Sequence, residues 1–167
     1  MKPAAATIEN AAGQRADGNV LAGRPSRASL WFCRIAYAIV FILNVQCALS
    51  FCLAPDQFMG AYELSGTAGR VAVQGIGIAF LMWNATYPPV IAAPQRFRSL
   101  AAVVLAQQAI GLVGESLLRA SLPEQNSVLA DSITRFIVFD GAGLVLMAAA
   151  FATLAVSSAH VARRQRR

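Results

Sequence analysis

Few residues in this sequence have chemistry to offer, and they stand in greasy surroundings. Gln108, Gly111, Glu115 and Arg119 recur at intervals of three and four, which on a helix places them along one face. Arg70, Gln74, Gly77 and Asn84 follow the same rule, with Leu81 completing the series. Asp140, Gly143 and Met147 align in a third segment, and Arg34, Tyr37, Phe41 and Asn44 in a fourth. Glu115 precedes Arg119 by four residues, the better order for an acid–base pair on a helix.

Two carboxylates, Glu115 and Asp140, are thus set against three guanidiniums, Arg70, Arg119 and Arg135. Arg135 and Asp140 are five residues apart, about 140° around a helix, and so are poorly placed to pair with each other. Asp140 is expected to look across to Arg70 or Arg119, whose planar forks bind a carboxylate through two hydrogen bonds. The candidate polar cluster is Asn44, Arg70, Gln74, Gln108, Glu115, Arg119, Arg135 and Asp140. It has three readings: an ion-pair network that fixes helix register, a pocket for an amphipathic or isoprenoid molecule with an arginine for an anionic group, or a proton or ion path.

The segments that must position these residues are four long apolar stretches. They run over residues 30–54, 71–93, 100–118 and 134–156, and the last has its apolar core at Phe136–Val156. Each meets the roughly 20 residues a helix needs to cross about 30 Å of hydrocarbon. Backbone groups find no water there, so the spans must be helical. Of the 167 residues 57% are apolar and only 13% charged, with a mean hydropathy of +0.55, which excludes a disordered chain and argues against an ordinary soluble domain. The expected fold is all-α, an integral membrane four-helix bundle. The first stretch is too long for a signal peptide and lacks a small-residue cleavage site, so it reads as an uncleaved helix.

Basic residues predict the threading. With the N-terminus in the cytoplasm, eleven fall on that side (Lys2, Arg15, Arg24, Arg27, Arg34, Arg96, Arg98, Arg163, Arg164, Arg166 and Arg167) against Arg70, Arg119 and Arg135 on the other. Both termini are therefore expected to be cytoplasmic, with residues 1–28 a disordered tail and 159–167 a basic tail. The net charge of +6 is spread over two tails and one loop without interleaved aromatics. That pattern suits anionic lipid headgroups and orientation, not nucleic acid. The candidate cluster falls in the outer half of the bilayer. Glu115 is about 5 Å and Asp140 about 6 Å from the outer ends of their stretches at 1.5 Å per residue.

The connections carry further expectations. Pro55 and Asp56 suit the first turn of a short interfacial helix on which Phe58, Met59 and Tyr62 share a face. Asp131 or Ser132 is placed to cap the fourth helix. The short loop at 94–99 makes the second and third helices antiparallel neighbours. Pro88 and Pro89 kink or end the second helix, while Trp83 and Tyr87 read as interface anchors. Cys33, Cys47 and Cys52 read as buried free thiols, and His160 as an interface residue.

No phosphate-binding glycine loop, zinc spacing, catalytic triad or bis-histidine haem site is present in the sequence, and no cofactor or metal is expected. The expectation is a non-enzymatic binding or accessory subunit of a bacterial inner membrane. Its partners would be membrane lipids, a lipid-like ligand or another membrane protein. The rival expectation is a membrane-embedded enzyme or carrier of a lipid-like substrate using Glu115 or Asp140 with nearby arginines.

Overall fold

The computed structural model of the chain describes residues 25–165, and among them every regular element is helical. In order these are α1 (Arg27–Leu53), α2 (Asp56–Met59), a 3-10 turn η1 (Gly60–Tyr62), α3 (Gly66–Asn84), α4 (Tyr87–Ala92), α5 (Arg98–Ser121) and α6 (Ser127–Gln165). α1, α5 and α6 are apolar and long enough to cross a membrane. A fourth span arises if α2–η1 and α3–α4, bent by 95° at their junction, count as one. Of the expected tails, residues 1–24 and 166–167 lie outside the described residues, while 159–165 continue the last helix. Within those residues, α1 starts at Arg27, capped by the Ser26 hydroxyl on the Ser29 amide, and α6 continues to Gln165.

The second expected span is broken where its prolines fall. Pro88 has no N–H for the Asn84 carbonyl, and Pro89 none for that of Ala85, so the ladder of α3 stops and the short α4 begins. Side chains take over nearby. Asn84 Nδ2 donates to Phe80 O at 2.7 Å, and Thr86 Oγ1 to Trp83 O at 2.9 Å.

α3 lies along α1 and α5 along α6, with α1 against α6 joining the two pairs. The sequence expectation made α3 and α5 neighbours because their loop is short. Instead α4 takes up the turn beside α5, and α3 meets α5 through the Trp83 ring, which a Cβ at Gly111 would approach to 3.0 Å. The α1–α3 seam is set by Gly77. A Cβ there would stand 2.7 Å from Cys52 Sγ and 2.8 Å from the Ala48 carbonyl oxygen. In lipid, close approach of this kind is what holds helices together, since burial from water contributes little between apolar spans.

The two halves of the bundle differ. Toward the end that carries Ser26 and the 93–97 loop, Cys33, Tyr37, Val40, Tyr87, Val104, Met147 and Leu154 form a closed core, and the Tyr37 hydroxyl donates to Ala101 O at 3.2 Å. Polar bonds fasten that end. Ser26 N donates to Ser157 Oγ at 2.8 Å, Arg34 Nη2 to Ala92 O at 2.8 Å, and Arg98 to the Ser158 hydroxyl. Arg34 thereby satisfies a carbonyl left free where α4 ends. The outer belt is apolar, with Ile42, Met82, Ile110 and Val145 each more than half exposed.

At the opposite end, α2 and η1 fold over the helices as a cover. α6 begins at Ser127, so Asp131 and Ser132 lie inside the helix and do not cap it as expected. The cap comes from the cover: Glu63 accepts from the Leu129 amide at 3.2 Å and from the Asn126 side chain. Glu63 itself sits at φ +55°, where the 3-10 turn reverses toward α3.

The seam yields a matched test. Gly77→Ala should destabilise the protein by about 1–3 kcal/mol through overpacking. Gly75→Ala, with open space around its Cβ, should be neutral or stabilising by up to about 1 kcal/mol. Thermal unfolding of both variants in a mild detergent checks this, and equal effects would remove the seam from the account.

Candidate functional site

Beneath the cover, the bundle fails to close and leaves a cavity of about 600 Å³ between α1, α3 and α6, floored by Gln108 of α5. The local reason is the run of rings. Phe51 of α1 packs at a tilt on Phe58 of the cover at 4.8 Å between centroids, and meets Phe80 of α3 and Phe136 of α6 at 6.3 Å. Trp83 stands edge-on to Phe80 at 6.3 Å and 89°. The rings meet partly stacked or tilted and partly edge to face, and together they form the apolar wall of the cavity. Tyr62 and Ala61 of η1 close the cavity from above, while Leu43 and Phe139 border it on the α1 and α6 sides.

The deep end of the cavity is polar. Gln108, nearly fully buried, donates from Nε2 to Asp140 Oδ1 at 2.9 Å and accepts at Oε1 from the Tyr87 hydroxyl at 3.3 Å. One amide thus ties α4, α5 and α6 together. Gly143 lies beside this amide, where a Cβ would make ordinary contact with Gln108 Nε2 at 3.5 Å. Three buried atoms in this neighbourhood have no hydrogen-bond partner among the described residues: Trp83 Nε1, Asn84 Oδ1 and Glu115 Oε2. Buried polar atoms are ordinarily partnered, so each one left over points to something that would meet it.

The candidate polar residues divide. Asn44, Gln108, Arg135 and Asp140 all line the cavity. Gln74 does not; its Nε2 donates to Cys52 O at 3.2 Å and serves the α1–α3 seam. Arg70 pairs with Asp56 of the cover at 2.9 Å, both groups about half exposed. Arg119 Nε donates to Thr134 Oγ1 at 3.2 Å, and no Glu115–Arg119 bridge forms among the described residues. Glu115 lies one turn beyond Gly111 on α5, and Gly111 abuts Asp140, so the two acids occupy adjacent levels. Asp140 is met by an amide, where the sequence suggested an arginine. The reason is depth: α6 starts at Ser127, which puts Asp140 about 20 Å along the helix, level with Gln108 and beyond the reach of Arg70.

Other lining residues carried no usable signal in the sequence. Phenylalanines within an apolar span look alike whether they face lipid or a cavity. Trp83 and Tyr87, read as interface anchors, are a cavity wall and a fully buried core residue. The described residues contain no group of three or more acids, histidines and cysteines placed to hold a metal. The cysteines are free, with Cys47 on the cavity wall. Compared with known protein families, curated proteins and solved structures, the chain matches none.

The Gln108 bridge is testable by stability. Gln108→Leu strands the Tyr87 hydroxyl and Asp140 Oδ1, at about 1–3 kcal/mol for each group left unpaired. Gln46→Leu, at an exposed position on the rim, should change little. The two melting temperatures measured in the same detergent decide the point, and similar values would deny the bridge its role.

Proposed function

We propose that this chain is a multi-pass protein of a bacterial inner membrane that binds, without transforming it, an amphipathic lipid-like molecule drawn sideways from the bilayer. The observation that carries the reading is the cavity of about 600 Å³, ring-walled for an apolar body and polar at its deep end. Ligand sites have this composition, a mostly apolar enclosure with a few convergent polar groups, and this size. α1 and α6 contribute most of the wall, and the space between them is the route from the lipid phase. Membrane lipids cover the belt of exposed Ile, Val, Leu and Met side chains. A binding role of this kind suits an accessory subunit that holds such a molecule for another membrane protein.

The orientation proposed with it puts both termini in the cytoplasm. Supporting this, Arg27, Arg34, Arg96 and Arg98 gather at one end of the bundle, and Arg70 and Arg119 near the other. The cavity then belongs to the outer half of the bilayer. The rival, an enzyme or carrier working through Glu115 and Asp140, draws less support. Glu115 does not line the cavity, Arg70 is engaged by Asp56, and one oxygen of Asp140 is held by Gln108.

Two measurements test this reading. Lipid extracts of the protein purified in mild detergent should contain an amphiphile enriched over the bulk membrane by mass spectrometry. Ser50→Trp, which fills the cavity from α1, should abolish that enrichment while the protein still folds. Equal enrichment in both proteins removes the cavity as the site. For orientation, green fluorescent protein fused after Arg167 should fluoresce in a bacterial host and alkaline phosphatase fused there should be inactive. The reverse pattern inverts the topology.

A further inference from the structure

The deep end of the cavity is more specific than its apolar walls, because two acceptors, Asp140 Oδ2 and Asn84 Oδ1, stand open there beside a single open donor, Trp83 Nε1. Asp140 uses Oδ1 for Gln108, and its Oδ2 has no partner among the described residues. Asn84 is 3% exposed. Its amide orientation is fixed by the 2.7 Å bond from Nδ2 to Phe80 O, which leaves Oδ1 buried and unmet. Asn84 and Asp140 border the same space, together with the Trp83 ring. A carboxylate oxygen and an amide oxygen, both lacking donors, sit beside aromatic walls. An ammonium group answers all three, since its N–H bonds reach the oxygens and its charge is attracted by the ring faces.

We propose that the preferred occupant of this cavity carries a protonated amine on an apolar body, with the ammonium between Asp140 and Asn84. This rests on the reading of the cavity as a lipid-like ligand site and narrows its ligand class. An anionic head meets two unpaired acceptors and is repelled. A neutral hydroxyl has one hydrogen and satisfies only one of them. A quaternary ammonium has no N–H and engages the rings alone. Arg135 borders the cavity too, but about 7.5 Å further along α6 and exposed, where it guards the rim and not the deep end. Arg119 is turned to Thr134. Glu115 stands at the level next to Asp140, its Oε2 also without a partner among the described residues, and brings no cation to that side. A buried carboxylate in a low-dielectric site gains most from a counter-ion that also donates hydrogen bonds.

The chain has two tryptophans, so Trp31→Phe leaves Trp83, on the cavity wall, as sole reporter. The full-length protein in nanodiscs of zwitterionic lipid would be titrated with dodecylamine, dodecanol, dodecanoate and dodecyltrimethylammonium at neutral pH. Trp83 emission should respond saturably to dodecylamine, with an apparent affinity at least about tenfold above the other three. Asp140→Asn keeps an acceptor for Gln108 and should reduce the amine to the level of the alcohol at an unchanged melting temperature. Should that variant not fold, the comparison of the four probes on the Trp31→Phe protein decides alone. The proposal is overturned if alcohol, carboxylate or quaternary ammonium binds as tightly as the amine, or if a folded Asp140→Asn protein keeps the preference. Saturable binding of all four alike would leave the cavity standing as a ligand site without this selectivity. No saturable response to any of them would remove the cavity reading itself.

Discussion

The Gln108 amide is the contact on which the arrangement depends. It receives the Tyr87 hydroxyl from the short helix after the proline break and gives a hydrogen bond to Asp140 on the longest helix. Three chain segments are thereby held in one register at the level where packing changes character. In a bundle of apolar helices, contact area discriminates poorly between neighbouring registers, because sliding by a turn exchanges one aliphatic contact for another. A buried amide with partners on two sides does discriminate, since a slip strands all of its groups at once. Below it lies the core of Tyr37, Val104 and Met147; above it the aromatic rings stand apart around the cavity.

The break at Pro88 and Pro89 falls beside this contact. α3 ends at Asn84 and α4 restarts at Tyr87, packed against α1 and α5, with the tyrosine hydroxyl on Gln108. The same break leaves Asn84 at the last turn of α3, buried, with its amide spent on its own helix at one end only. The interruption is thus flanked by a donor in the core and an acceptor in the cavity.

Much of the scaffold was legible from the sequence, because length, hydropathy and proline position are local properties. The apolar stretches, the interruption at Pro88 and the short helix at Asp56 needed no knowledge of the rest of the chain. The partners of the polar residues were not legible, because each depends on depth. Reading the last helix as starting near residue 134 put Asp140 close to the surface and in reach of arginines. The helix begins at Ser127, capped by Glu63 from a distant part of the sequence, and this one difference moves Asp140 to the level of Gln108. Four of the eight candidate residues meet at the cavity: Asn44, Gln108, Arg135 and Asp140. Arg70, Gln74 and Arg119 are drawn to Asp56, Cys52 and Thr134 by proximity that helical spacing alone does not encode. The aromatic walls were invisible for a plainer reason: nothing in an apolar run marks which ring will face a void.

The Glu63 contact joins two events that look separate in the chain. The carboxylate that fixes the roof of the cavity is also the group that ends the first turn of α6, so the roof is latched to a helix terminus. Lifting it strips an amide of its acceptor, and the first residues of α6 fray as the roof rises. The position of the roof and the order of that terminus are therefore one equilibrium.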